Sequence, residues 1–508
     1  MAVDVPAAVP APAPRHAPDW LVLALACVAQ FMVVLDVSIV NVALPAMRVS
    51  LGFSQAGLQW VLNAYTLTFA GFLLLGGRAA DLFGRRRMFL AGLALFTLSS
   101  LLGGFAQDQA MLITARAFQG LGGAVLSPAT LTILTTTFTE PKARSRAMGM
   151  WSAVAGAGGA AGALLGGVLT QELSWRWILF INVPIGVAAM AVAVGFLQET
   201  RGAAGRQPLD LPGAILVTGG LTALVYGLVR SSAVGWGSWQ TIVAFVVALA
   251  LLGSFVTHET RVAKAPLVPL RLFVRRSIWT ANLVMLLLAG SIFSMWFFVS
   301  LYLQDVLGYS PLRTGFAFLP QAIAIVVGAQ LSSRLLFKTG PRALLLVGAA
   351  STAAGLLWLG QATAHSAYWS DLFVPSVLIT LGLGLSFTPL AYLATAGVAP
   401  HEAGLASGLV NTSRQVGGAI ALAALATVAV DRTDSVLRAV ATPVAAHSRS
   451  LVASALTEGY TEAFVVASFV AVGAFLAALL IPGVGRNERA AATAPRREAT
   501  LAAAPVEA

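Results

Sequence analysis

A charged side chain in hydrocarbon costs about 2.5–3.5 kcal/mol even on insertion scales. The few ionisable residues inside this chain's long apolar runs are therefore its first candidates for chemistry. Asp36 lies in the run that begins near residue 20, and Arg116 lies in the run from 111 to 136. At 1.5 Å per residue, Asp36 stands about 24 Å along its run and Arg116 about 9 Å along the returning one, so across about 30 Å of hydrocarbon their depths nearly coincide. A carboxylate and a guanidinium at one depth can pair directly, or the guanidinium can set the proton affinity of the carboxylate within reach of the pH on either side. Either arrangement suits a proton carrier. The plainer alternative puts Asp36 at a shallow, wet helix end and lets Arg116 snorkel to the interface. Two further charges qualify. Arg414, within Asn411-Thr412-Ser413-Arg414-Gln415-Val416-Gly417-Gly418, could tie helices together or act in gating, and Asp305, at the end of another run, is either a substrate contact or a solvated interfacial carboxylate.

These residues need membrane-spanning elements to hold them, and the composition supplies little else. Of 508 residues, 58% are hydrophobic and 10% charged, too few charges to cover soluble domains. Fourteen runs of at least about 18 residues with at most one charge are long enough to cross a bilayer. They fall at about 20–42, 57–77, 88–106, 111–136, 147–169, 175–197, 211–230, 239–257, 277–304, 314–333, 343–362, 371–395, 403–430 and 460–482. An even number of spans puts both termini on one side. With that side cytoplasmic, 22 of the 31 basic residues fall in inner segments and seven in outer loops, the asymmetry of the positive-inside rule. The net charge of +11 is thus topological and does not form one nucleic-acid patch. Cys27 is the single cysteine, so disulfides and multi-cysteine metal sites are excluded. The Ala/Pro-rich residues 1–18 and residues 486–508 read as disordered tails.

The short turn Gly77-Arg78-Ala79-Ala80-Asp81-Leu82-Phe83-Gly84-Arg85-Arg86-Arg87 combines glycines that permit tight backbone with Asp81, which can cap a helix or pair with an Arg across the loop and so lock one of two conformations. A faint counterpart around 334–342 marks a parallel repeat. Gly158, Gly162 and Gly166 recur every four residues and make one small helix face for close approach of another helix. Aromatic residues such as Trp60, Tyr65, Trp296, Phe297, Phe298, Tyr302 and Tyr392 could line an apolar ligand cavity or sit in the lipid belt. Of these, Tyr65, Trp296, Phe297 and Tyr302, with the polar Asn41, Gln119, Asn411 and Asp305, are taken as candidate substrate contacts. No lysine follows a glycine and no helix carries His-Glu-x-x-His, so neither nucleotide hydrolysis nor any other enzyme is indicated.

With these residues set out, the chain resembles the major facilitator superfamily, and within it the fourteen-helix drug:proton antiporters of the EmrB/QacA type, over about residues 18–485. Leu35-Asp36-Val37-Ser38-Ile39-Val40-Asn41-Val42-Ala43-Leu44-Pro45 is similar to that family's first-helix signature. The Gly77–Arg87 turn resembles the superfamily's cytoplasmic loop motif, with Leu82 where a basic residue is usual. Arg116-Ala117-Phe118-Gln119-Gly120 is similar to the fourth-helix motif whose Arg is implicated in proton transfer. Gly158 and the stretch from Gly162 to Gly167 resemble the fifth-helix antiporter motif, with Ala163 where that motif has proline. Trp175-Arg176-Trp177 with Asn182-Val183-Pro184 matches the start of the sixth helix, and in the second-half loop Phe337 stands where Asp81 stands in the first.

The resemblance implies an all-α integral membrane protein of the major facilitator fold. It would comprise a six-helix bundle over 19–200, two extra central helices over 201–260 and a second bundle over 261–485. It further implies a proton-driven antiporter of a bacterial plasma membrane, both termini cytoplasmic, exporting small hydrophobic, cationic or amphiphilic compounds by alternating access. Asp36 and Arg116 would couple protons, while Gly77, Asp81, Gly84, Arg85, Arg86, Gly158, Gly162, Gly166, Gly167 and Arg414 would gate. The expected partners are a small-molecule substrate, protons and lipid, with no nucleic acid and no cofactor beyond the proton gradient, and the chain is expected to act as a monomer. A narrow-substrate natural-product exporter and a proton-coupled uptake symporter use the same fold; a non-transporting receptor is the rival of another class.

Overall fold

The computed structural model describes residues 18–199, 209–268, 270–396, 398, 403–439 and 449–481. Among these residues every regular element is helical, and fourteen helices are long and apolar enough to cross a membrane. They are α1 (Asp19–Leu51), α2 (Gln55–Phe83), α3 (Arg85–Gly104), α4 (Gln109–Thr137), α5 (Lys142–Glu172), α6 (Trp177–Phe196), α7 (Leu211–Ser231), α8 (Trp239–Arg261), α9 (Arg276–Val306), α10 (Pro311–Leu336), α11 (Pro341–Leu359), α12 (Tyr368–Thr395), α13 (Leu405–Ala439) and α14 (Ser450–Leu479). The expected spans map onto them one to one, and all the helices but α6 and α11 are longer than expected. α1 runs past residue 42 through Pro45 to Leu51 and stops at Gly52, whose φ of 68° needs a glycine. An apolar run ends where hydrocarbon ends, whereas the backbone goes on satisfying its own N–H and C=O groups for as long as the helix continues. Residues 1–17 and 486–508 of the expected tails, and the side chain of Phe337, lie outside the described residues.

The turns are built from capping chemistry. Ser54, Asp108, Ser238 and Ser310 each accept a hydrogen bond from a first-turn backbone N–H, of Gly57, Met111, Thr241 and Arg313 respectively, which satisfies donors that would otherwise enter the membrane unpaired.

Packing carries the repeat that the loop sequence showed faintly. In the first six helices α1 packs on α5, α2 and α3 pack on α4, and α3 packs on α6; in the last six α9 packs on α13, α10 and α11 on α12, and α11 on α14. Adding eight to each helix number in the first set gives the second, the signature of a parallel repeat about an axis along the membrane normal. The two sets meet where α5 lies on α10 and α2 on α13, pairs that exchange under the same operation, with α1 beside α9. The matching turns after α2 and α10 pivot on Gly84 and Gly340, with φ of 108° and 84°. The α7–α8 hairpin joins the two sets in sequence and in space: α7 lies along the seam on α2 and α13. α8 packs on α7 and turns Ile242, Val243, Val246 and Leu249 outward, as a lipid-facing helix does.

Candidate functional site

Asp36 and Arg116 pair directly. Arg116 Nη1 donates to Asp36 Oδ2 at 2.5 Å, with the two side chains 0% and 1% exposed, so the wet-end and snorkelling alternatives do not describe this structure. Four helices, α2, α3, α4 and α6, supply the remaining partners. Arg116 Nε donates to the Val61 carbonyl of α2 at 3.0 Å, and Nη1 also donates to Gln119 Oε1. Gln119 Nε2 donates to Asp36 Oδ1 at 2.8 Å and to Ser100 Oγ at 3.0 Å. Ser100 also takes a bond from Asn182 Nδ2 and gives one to the Leu179 carbonyl. The Tyr65 ring covers the guanidinium, its centroid 4.5 Å from Arg116 Cζ. Both carboxylate oxygens thus have a donor, and the guanidinium has a counter-charge, a carbonyl and an aromatic face. A buried ion pair needs such satisfaction to offset its desolvation. Gln119, expected to touch substrate, is instead a member of this network.

The α5 glycines lie on the opposite side of α1 at the same level. A Cβ on Gly158 would stand 3.3 Å from the Phe31 carbonyl oxygen, on Gly162 2.9 Å from that of Leu35, and on Gly166 2.7 Å from that of Ile39. Ser38 Oγ completes the contact by donating to the Gly159 carbonyl at 2.6 Å. The turn bearing Asp36 is therefore clamped between the polar network on α4 and backbone-to-backbone packing on α5. Gly167 extends the stripe onto α10, where a Cβ would stand 2.6 Å from the Pro311 carbonyl oxygen. α5 is one unbroken helix with Ala163 buried in it.

A cavity of about 20 Å³ lies against this network between the two helix sets, lined by Val37, Asn41, Leu62, Tyr65, Thr66, Arg116, Phe293 and Trp296. Of the expected substrate contacts, Asn41, Tyr65 and Trp296 reach it. Phe297 and Tyr302 do not: Phe297 packs edge-on against Phe298, and the Tyr302 hydroxyl donates to the Thr363 carbonyl. Asn411 is exposed and Arg414 half-buried on α13. Asp305 sits in a π-helical turn, Tyr302–Val306, that ends α9, and there it accepts two bonds from Arg48 at 2.8 and 2.9 Å.

That bidentate pair joins the two helix sets at the face where α1 ends, opposite its first residue, Asp19. Around it Ser300 Oγ donates to the Asn41 carbonyl, Gln304 Nε2 to the Val42 carbonyl and Gln55 Nε2 to the Tyr460 hydroxyl. The side chains of Arg48 and Asp305 are 23% and 11% exposed, so solvent screens the pair only in part, and a contribution of about 1 kcal/mol is expected. Asp305→Asn should shift the open-to-closed ratio at this face about fivefold toward open. Distance measurements between spin labels at residues 50 and 313, both exposed on helices at this face, check this; an unchanged distribution would show that the pair does not hold the face shut.

The sequence pattern of the Major Facilitator Superfamily matches residues 26–422. The chain belongs to that superfamily. Among curated relatives, the cephamycin export protein CmcT of Amycolatopsis lactamdurans is 50% identical over 80% of this chain and 84% of its own. The puromycin resistance protein pur8 of Streptomyces alboniger is 41% identical over 92% and 91%. Among solved structures, a bacterial homolog of the human lysosomal transporter Spinster aligns with a TM-score of 0.65 over 91% of this chain and 97% of that one, at 17% identity. The last likeness concerns the fold alone. The protein is accordingly a multi-pass membrane transporter, of a family whose members are transporters and not enzymes.

In the superfamily loop from Gly77 to Arg87, the contacts of Gly77, Arg85, Arg86 and Arg87 lie within the first helix set and the residue that follows it, Glu199. Arg85 Nη2 reaches Asp81 at 3.5 Å, Arg86 Nη2 donates to the Val194 carbonyl at 2.6 Å, and a Cβ on Gly77 would stand 3.4 Å from Pro128. The first backbone amides of α3, at Arg86 and Arg87, donate to Glu199 at 3.3 and 3.2 Å. Gly84 leaves room for that carboxylate, since a Cβ there would collide with it. Sequence reading assigned Glu199 no role, because it follows α6 more than a hundred residues after the loop. Glu199→Gln should lower stability by about 0.5–1 kcal/mol through the weakened cap, read as a small drop in melting temperature in detergent; no drop would mean that the amides find water equally well.

Proposed function

We propose that the protein exports small antibiotic-like organic molecules across a bacterial plasma membrane in exchange for protons, by alternating access, with both termini in the cytoplasm. The observation that carries the reading is the Asp36–Arg116–Gln119 cluster: a titratable carboxylate in the membrane interior, enclosed on all sides, beside a cavity at the seam of the two helix sets. Its relatives in the superfamily, a cephamycin exporter and a puromycin resistance protein, supply the direction and the class of cargo. The asymmetry of basic residues supports the orientation.

Deprotonated, Asp36 neutralises Arg116 and the cluster carries no net charge. Protonation of Asp36 leaves one positive charge, which the Tyr65 ring and the Val61 carbonyl continue to solvate. The two protonation states thus favour different positions of the Asp36 turn relative to α4. Glycine packing passes any shift of that turn to α5, and Gly167 passes it to α10 across the seam. Coupling then follows if proton and substrate stabilise opposite positions. In the conformation described, the Arg48–Asp305 end, external in this orientation, is shut.

The test is flux in proteoliposomes of the purified full chain with ethidium, puromycin and a cephamycin, with an imposed proton gradient and with an uncoupler. Uncoupler-sensitive movement of cargo against the proton flow is expected. Movement in the same direction as protons would replace export with uptake symport, and binding without flux would replace transport with a receptor.

A further inference from the structure

A larger hollow lies away from the Asp36 cluster, along the flank of the α7–α8 hairpin. It is a groove of about 740 Å³ in which α2 contributes Trp60 and Phe72, α7 Ile215 and Tyr226, and α8 Trp239 and Leu251. Each of those pairs spans eleven or twelve residue steps, so the groove runs about 17–18 Å along the helices. Trp60 near the start of α2, Tyr226 near the end of α7 and Trp239 at the start of α8 mark one end of it. That end is on the face of the Arg48–Asp305 pair, because α2 begins where α1 stops. The hydrocarbon of one leaflet is about 15 Å deep, and Trp and Tyr gather at the headgroup level. The groove therefore has the length of one leaflet, with its aromatic end at the headgroups.

Its side is open to the bilayer, since Ile215, Tyr226, Val243 and Val247 are exposed there. Its walls are apolar: the Thr218 and Thr222 hydroxyls are already given to the Ala214 and Thr218 carbonyls, each at 2.7 Å. Water finds no partners along such a wall, so a hydrocarbon chain fills it. An apolar wall does not tell one acyl chain from another, but a charge stands at the mouth. Arg230, half-buried one turn beyond Tyr226, donates Nε to Gln240 Oε1 at 3.0 Å, and Gln240 itself lines the groove. Among the described residues Arg230 makes no ion pair. A guanidinium presents a planar fork that fits two phosphate oxygens. We propose that the groove seats one anionic phospholipid of the leaflet on this face, with an acyl chain between α2 and the α7–α8 hairpin and its phosphate on Arg230. That leaflet is the outer one in the orientation proposed above. A zwitterionic lipid brings its own cation to compete for the phosphate, whereas an anionic one leaves Arg230 as the counter-charge. The site depends on neither the cargo nor the direction of transport. It gives the two extra helices a part of their own, since α7 and α8 supply two of its walls and its charge.

The probes are phosphatidylglycerol and phosphatidylcholine carrying the same photoreactive diazirine acyl chain, each added in trace to bilayers containing the purified full chain. Labelled residues are mapped by peptide mass spectrometry. Ile323 and Val327, exposed on α10, report ordinary boundary lipid. In wild type the phosphatidylglycerol probe should label the groove about fivefold more than the phosphatidylcholine probe, the yield of one basic residue at a membrane surface, and α10 should take both alike. Arg230→Gln should bring the groove ratio to one, and Arg230→Lys should keep part of it, having the charge without the fork. Ala223→Trp, which fills the groove from α7, should remove label from the Trp60 and Phe72 peptides and leave α10 unchanged. The same headgroup ratio at the groove and at α10 in wild type overturns the proposal, whatever the variants do. Groove label that ethidium or puromycin displaces without regard to headgroup assigns the groove to cargo. Shielding of the groove from both probes within a cross-linkable dimer assigns it to a second copy of the chain. Either of these outcomes also overturns the lipid seat.

Discussion

Asp36→Asn is expected to abolish uphill export while leaving the protein in the membrane. The substitution keeps the shape and an acceptor for Arg116, but it removes the one group in the Arg116–Gln119–Ser100 network that can take up and release a proton. Arg116 is then left without a counter-charge at 1% exposure, and breaking one side of a buried pair costs about 3–5 kcal/mol. Lower stability is therefore part of the expected result, and by itself it would say nothing about coupling. The double variant Asp36→Asn with Arg116→Gln separates the two effects. It removes both charges, so most of the stability should return, as paired replacement of buried ions usually allows. Cargo movement should still equilibrate without concentrating, because no proton is carried. The measurement is steady-state accumulation of cargo under a fixed proton gradient, next to a melting curve for each variant. Restored stability together with restored uphill export in the double variant would rule out Asp36 as the proton site.

The spans and this pair were legible in the sequence for a simple reason: helical rise converts residue number into depth, and depth brought Asp36 and Arg116 to one level before any coordinates. The rest of the network was not legible. Ser100 and Asn182 are uncharged, and Ser100 lies about 80 residues from Asn182, so neither local period nor charge marks them as partners. Arg48 reads as an outer-loop topology residue, yet it closes the bidentate pair with Asp305 across 257 positions. Phe297 and Tyr302 show the converse limit. α9 is buried on nearly every face, so an aromatic residue there carries no periodic hint of whether it faces a cavity or the packed cluster around Phe298, Tyr460 and Phe464. The glycine stripe was legible as a small face, but which helix it meets was not. That it meets α1 at the Asp36 turn is what gives it a part in coupling.

Gly162→Ala should therefore be far more damaging than its size suggests. The added methyl would stand 2.7 Å from Ser38 Cβ and 2.9 Å from the Leu35 carbonyl oxygen, both on the α1 turn that carries Asp36. Backbone cannot yield as a flexible side-chain end can, so α1 and α5 must separate, and overpacking of this kind costs about 1–3 kcal/mol. The functional cost is larger, because separation also weakens the bond from Ser38 to the Gly159 carbonyl and moves Asp36 relative to Arg116, which is fixed by α2 and α4. Gly159→Ala is the control: it sits three residues earlier on the same helix, with nothing within 4 Å of its Cβ position. Gly158→Ala, at 3.3 Å from its nearest neighbours, should fall between them. Melting temperature and uncoupler-sensitive flux, measured on the three variants together, should rank Gly159→Ala, Gly158→Ala and Gly162→Ala from mildest to most severe. Equal effects at 159 and 162 would mean that helix propensity, which alanine improves at both positions, governs the response, and that close packing of α5 on the Asp36 turn has no part in transport.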